Sequence, residues 1–127
     1  MLVDEKFRIG TLVDKANESL GAAELLMDAQ LYEESILRCY HAVFFTLRAF
    51  LKKNKIEIER TSDSIPVFKA RFIDTKVHSA ALYDDLVAVI NAGGFENQFG
   101  QLPADESLAR DVYEKAERFY SVLTDLI

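Results

Sequence analysis

The stretch Ile36-Leu37-Arg38-Cys39-Tyr40-His41-Ala42-Val43-Phe44-Phe45-Thr46-Leu47-Arg48-Ala49-Phe50-Leu51 constrains this chain more than any other. Set on a helix at about 100° per residue, Thr46, Cys39, Phe50, Val43, Ile36, Leu47, Tyr40, Leu51, Phe44 and Leu37 cover about half the circumference. A helix lying on a surface needs a narrower stripe, so this one is expected at the centre of its fold. The other half carries Arg48, His41, Phe45 and Arg38, followed by the small pair Ala49 and Ala42. A phenyl ring between two guanidiniums and an imidazole is more than solubility requires of an outer face.

The flanking segments supply further helices for that core. Leu12, Val13, Ala16, Leu20, Ala23 and Met27 recur every three or four residues, which predicts a helix from Val3 to Asp28. Gly10 and Gly21 each weaken it by about 1 kcal/mol relative to Ala and are expected at a close helix contact or an irregular turn. The central helix is expected to start near Tyr32 and to end near Lys52-Lys53-Asn54, where two lysines suit the negative end of the dipole. Lys55-Ile56-Glu57-Ile58-Glu59-Arg60 alternates like a strand, but a lone strand has nothing to pair with, so an extended loop is expected.

Ser62-Asp63-Ser64 and Pro66 predict the capped start of a short helix over 65–72. A fourth helix over 77–90 should bury Leu82, Leu86, Val89 and Ile90, wet Asp84 and Asp85, and stop before Gly93-Gly94. The segment from Asn91 to Ala104 is long for a structureless loop, and Phe95 and Phe99 would have to fold back onto the bundle or a partner. The last helix opens with Asp105 as its cap and runs to the C-terminus, with Leu108, Val112, Ala116, Phe119, Leu123 and Ile127 inward. Its acid-first pairs are Asp111 with Lys115 and Glu114 with Arg118. The expected fold is all-α: a single-domain, up-and-down four-helix bundle with an additional short helix.

Composition narrows the function. With 50% hydrophobic and 28% charged residues the chain resembles a soluble globular domain, and 127 residues suffice for one core. Asp4, Glu5 and Lys6 interrupt any leader-like start, and Arg38 and Arg48 interrupt the longest apolar run, so a cytoplasmic protein that does not cross a membrane is expected. A net charge of −6 argues against a general nucleic-acid binder. The stretch from Arg48 to Lys76 nevertheless holds eight basic against four acidic residues, either a local basic surface or a solvated rim. Cys39 is the single cysteine, which excludes an internal disulfide and a Cys-based zinc site and reads as a small buried hydrophobe. His41 and His78 are the only histidines, too few for a metal site at helical spacing; His78 reads as exposed surface. No cofactor, metal or catalytic residue is expected.

The run from Tyr32 to Leu51 resembles the second helix of HEPN domains, which reads as an aliphatic run into Arg, an aromatic pair, Ala, an aliphatic, Phe, then Leu-Arg-Ala-Leu-Leu. Phe68-Lys69-Ala70-Arg71-Phe72 and Ala116-Glu117-Arg118-Phe119 extend the likeness more loosely. The resemblance implies a helical bundle, usually dimeric, related to substrate-binding subunits of small nucleotidyltransferases. Many members are ribonucleases, several of them toxins neutralised by a nucleotidyltransferase. Their motif is an Arg near the end of the fourth helix with a His a few residues on. Here Asn91 stands at the Arg position, Ala92-Gly93-Gly94-Phe95 follows, and no His occurs after His78. RNA cleavage at such a site needs an imidazole and a cation, and neither is supplied there.

Arg38, His41, Phe45 and Arg48, with Asn91 and Phe95, are therefore the candidate contact residues. They suit a homodimer face, a nucleotide or RNA surface, or packing within the bundle. The expected role is a non-enzymatic homodimer that binds a nucleotide or a small nucleotidyltransferase partner, as in a toxin–antitoxin pair. The alternatives are a ribonuclease that uses Arg38, His41 and Arg48 instead, and a stand-alone bundle whose patch only seals an oligomer.

Overall fold

The computed structural model describes residues 3–93 and 104–127, and every regular element among them is helical. Helix α1 (Val3–Asp28) and helix α2 (Tyr32–Lys53) share the broadest interface and are joined by three residues, which forces them antiparallel. A 3-10 turn (Thr61–Asp63), the short α3 (Ser64–Phe68) and a π turn (Lys69–Ile73) cross one end. Helices α4 (Ala80–Gly93) and α5 (Glu106–Thr124) complete the bundle. The molecule is an all-α helical bundle with α2 packed on α1, α4 and α5.

Small side chains let α1 and α2 approach closely. Ala16 and Ala23 of α1 and Ala42 and Ala49 of α2 are fully buried. The hydroxyl of Ser35, also fully buried, donates to the Ala23 carbonyl at 2.7 Å and crosslinks the pair. Ser35, Ala42 and Ala49 recur every seven residues and so share one side of α2. Leu47, Leu51, Leu86, Val89, Phe119 and Leu123 are closed to solvent on the other inward faces. Phe50 meets Phe68 at 5.9 Å and Phe72 at 4.9 Å between ring centroids, and Phe68 meets Phe119 at 6.0 Å, which joins α2, α3, the π turn and α5.

Three turns end in non-glycine residues with left-handed backbone. Gln30 (φ 65°) closes α1, with its N–H on the Met27 carbonyl and that of Leu31 on Leu26. Lys55 (φ 60°) closes α2 in the same way, with its N–H on Lys52 and that of Ile56 on Leu51. Lys76 (φ 63°) follows the π turn. Such caps normally carry glycine, because a Cβ in this region costs about 1–2 kcal/mol.

Several expectations are corrected. The helix expected over 65–72 is divided, and Asp63 makes no capping bond because a 3-10 turn precedes it. At its end the Asp74 N–H reaches back five residues to Lys69, and the wider turn lets both Phe72 and Ile73 pack on the core. Helix α4 begins at Ala80 rather than 77, because Lys76 turns the chain and the His78 N–H bonds to Phe72. It also runs through Gly93, where a Cβ would lie 2.6 Å from Tyr40 Cβ and 3.1 Å from the Ile36 carbonyl. Gly93 is thus the close helix contact, whereas Gly10 and Gly21 are exposed with nothing within 4 Å of an added Cβ.

Asp85, expected to be wet, is 6% exposed and accepts Arg118 Nε at 2.6 Å and Nη2 at 2.7 Å. Arg118 therefore pairs across α4 and α5 rather than along its own helix with Glu114, while Asp111 and Lys115 do pair at 2.9 Å. Asp105 caps α5 as expected, accepting from the Leu108 N–H at 2.8 Å. Ile127 lies beyond the end of α5, packed against the core edge.

Two substitution series test these contacts. Gly93→Ala should lower the unfolding free energy by about 1–3 kcal/mol despite alanine's better helix propensity. Gly10→Ala and Gly21→Ala should each raise it by up to about 1 kcal/mol, read by urea denaturation. Arg118→Ala leaves a buried carboxylate without its bidentate partner and should lower the melting temperature by several degrees. Lys115→Ala, which breaks an exposed pair, should leave it nearly unchanged.

Candidate functional site

Among the described residues α1, α4 and α5 pack on α2 and leave one strip of it uncovered. That strip consists of Leu37, Tyr40, His41, Phe44 and Phe45, all partly buried, with Arg38 and Arg48 exposed along it. The Tyr40 ring meets His41 edge-on at 5.9 Å and Phe44 at 5.0 Å. The strip is rotated from the face expected on sequence grounds. Ala42 and Ala49 are closed against the bundle, and Leu37, Tyr40 and Phe44 take their place at the surface. Ser35, Ala42 and Ala49 at a spacing of seven were the available signal, since a small-residue row marks a close helix neighbour.

The candidate residues divide between the two ends of α2. Arg38 and His41 lie near the Tyr40 and Ile36 turn on which Gly93 rests, and Asn91 is exposed on the last turn of α4. These three therefore share one end of the bundle. Arg48 lies ten residues beyond Arg38, about 15 Å along the helix. It lines a cleft at the other end together with Glu5, Lys52 and Ser64. Phe45 is not a bare ring: it packs on the Ile9, Leu12 and Ala49 cluster, with Lys15 Nζ 5.8 Å above its centroid. Phe95 lies outside the described residues.

Chemistry at the Arg38 end is limited. Burial and the neighbouring Arg38 guanidinium both lower the pKa of His41 from its ordinary value, so the ring is neutral at pH 7. A neutral imidazole can accept a proton. Arg38 and Arg48 have no ion pair among the described residues.

The remaining candidates are packed into the fold. Burial pushes the Cys39 thiol up to about 12, so it is unionised and inert as a nucleophile. His78, expected at the surface, is wedged against the rings of Phe50 at 5.7 Å and Phe72 at 5.9 Å. Among the described residues no group of three His, Cys, Asp or Glu side chains could hold a metal ion. No helix is long and apolar enough to cross a membrane among them.

Comparison with known proteins agrees with this architecture. The chain is 28% identical over 79 residues to a Methanocaldococcus jannaschii protein named "Putative toxin MJ0142", covering 62% of this chain and 54% of that one. A second protein of that organism, "Putative toxin MJ0605", is 28% identical over 71 residues, covering 56% and 53%. The "UPF0332 protein glr0978" of Gloeobacter violaceus is 37% identical over 57 residues, covering 45% of each. The chain thus spans about half the length of the curated relatives it matches. The HEPN domain matches residues 9–126, nearly the whole described bundle. On that match and this arrangement of helices, the chain belongs to the HEPN domain family.

Proposed function

We propose that this protein is a non-catalytic HEPN-type binding protein. It forms a homodimer through the outward strip of α2 and engages a small nucleotidyltransferase partner or a nucleotide at the dimer seam, as one half of a toxin–antitoxin-like pair. The observation that carries this reading is the side-chain chemistry at the end of α4. The resemblance aligns Asn91 with the Arg of the family's ribonucleases, and no histidine follows Asn91 in this sequence. An amide can donate a hydrogen bond, but it neither takes a proton at neutral pH nor brings positive charge to a phosphorane. The toxin-named relatives support the toxin–antitoxin setting.

The dimer face rests on the strip itself. Five partly buried apolar or aromatic side chains in a row, flanked by two arginines, have the composition of an interface core with a cationic rim. A two-fold axis across α2 would bring each copy's Leu37 and Phe44 together. Under the second reading, a ribonuclease using Arg38, His41 and Arg48, the neutral imidazole of His41 would serve as base. The separation of Arg38 from Arg48 works against it, because both cannot hold one phosphate within a protomer.

Light scattering should give twice the chain mass, and Phe44→Arg should yield a folded monomer. Labelled RNA incubated with micromolar protein should remain intact, equally for wild type and His41→Ala. Cleavage that vanishes on His41→Ala would establish the ribonuclease instead.

The His41 shift also fixes a pH dependence. Its folded pKa lies below the ordinary value of about 6.5, so the unfolded chain takes up the proton first on acidification. The contribution to stability is therefore complete above about pH 6.5 and is lost as pH falls through the folded value. Melting temperature and dimer affinity should both decline from pH 7.5 to 5.5, and His41→Gln should flatten that part of the profile.

A further inference from the structure

The outer seam between α1 and α2 carries a row of cations that nothing in the fold uses. Lys15 of α1 lies over Phe45 of α2, with its Nζ 5.8 Å from the ring centroid. The two helices are antiparallel, so two turns back along α1 and two turns on along α2 bring Arg8 beside Lys52. Two turns the other way bring Ala22 beside Arg38. The row of Arg38, then Lys15, then Arg8 with Lys52 runs about 21 Å along the seam, in steps of about 10 Å.

These four cations are not neutralised. None forms an ion pair among the described residues, although the chain carries 21 acidic against 15 basic side chains. The acids nearest in sequence, Glu34 one turn before Arg38 and Glu18 one turn after Lys15, do not pair with them either. Arg8 and Lys52 stand together as like charges, an arrangement that costs the fold stability. Between the cations the seam is shallow and largely apolar, with Thr11, Ala22 and Phe45 partly buried in it. Both walls are regular helix with their main-chain groups bonded internally, and the Thr11 hydroxyl donates to its own helix at the Phe7 carbonyl.

We propose that this seam is the docking groove for an acidic amphipathic helix of a partner protein. Carboxylates at every seventh residue of that helix face Arg38, Lys15 and the Arg8–Lys52 pair, matching the steps of the row. A helix has no main-chain groups left to satisfy, so it fits walls that have none to give, and its aliphatic side chains rest on Ala22 and Phe45. An RNA strand would meet the cations and little else. The phenyl ring in the row, Phe45, already carries Lys15 and rests on Ile9 and Leu12, so it gives a base no platform. The seam follows the α1 edge of the strip, whereas Tyr40 meets the end of α4, and Leu37 and Phe44 share the Tyr40 side. Docking here therefore stands whether or not two copies pair through Leu37 and Phe44.

The test uses the full chain and a fluorescein-labelled helical peptide of three heptads. Each heptad places one glutamate beside leucine and alanine on one face, with lysine and glutamine on the other. Fluorescence anisotropy should show micromolar binding that weakens with added salt. The peptide with glutamine in place of the three facing glutamates should bind about tenfold more weakly. Arg8→Gln with Lys15→Gln should weaken the glutamate peptide about tenfold and leave the glutamine peptide unchanged. Both side chains are exposed, so the melting temperature should stay at the wild-type value. Phe44→Arg should bind the glutamate peptide as the wild type does, in whatever oligomeric state it adopts. Equal binding of the two peptides, or none at hundreds of micromolar, overturns the proposal. So does loss of binding in Phe44→Arg, or an RNA oligonucleotide that binds through Arg8 and Lys15 in the peptide's place.

Discussion

Everything in this bundle depends on covering α2 from three sides. One helix presents a small-residue row to α1, a row through Ile36, Tyr40 and Leu47 towards α4, and further apolar side chains to the centre. Each fully buried leucine or phenylalanine is worth about 1.5–3 kcal/mol of transfer free energy, so α2 holds a large share of the fold's cohesion. The small row adds little area and matters for distance instead. With alanine at 42 and 49, α1 comes near enough for the Ser35 hydroxyl to reach a backbone carbonyl of its neighbour. At the other contact Gly93 lets α4 end directly on the Tyr40 turn. Close approach at both sites fixes where α2 remains uncovered.

What was readable in the sequence follows from how local each signal is. The limits of α1 and α2, the Asp105 cap and the Asp111–Lys115 pair depend on residues a few positions apart, and all appear as expected. The partner of Arg118 depends on a helix 33 residues away. A charge pattern within α5 offers Glu114 as the nearer acid, but only the packed bundle brings Asp85 within reach and dries it. Gly93 shows the same limit. A glycine pair after an apolar helix reads as a stop, because sequence carries no trace of the Tyr40 side chain that excludes a Cβ there.

The candidate face was half legible for a related reason. Periodicity locates the wide apolar arc of α2 but cannot say which neighbour each part of it touches, and alanine fits either a wet face or a tight interface. The sequence presents Phe45 as a ring between cations of its own helix; it does lie under a cation, but that cation is Lys15 from α1 and the ring is partly sealed by Ile9 and Leu12. The arginines are less coupled than their shared face implied. They stand at opposite ends of the strip, one near the terminus of α4 and the other beside the cleft.

That separation bears on chemistry. Catalysis on a phosphate diester needs a proton carrier and a cation converging on one atom to within hydrogen-bond reach. On α2 the imidazole and Arg38 are neighbours, but they sit on a rigid, densely packed helix whose rotation is fixed from behind by Ser35, Ala42 and Ala49. The helix cannot turn to bring Arg48 to the same point without breaking its own core. Within one protomer the strip therefore presents charges spaced along a rod rather than groups that converge on one atom. The same rigidity makes the outer strip sensitive to the inner one. Enlarging Ala42 or Ala49 would push α1 away and rotate the partly buried rings with it, so the strip would change through residues that it does not expose.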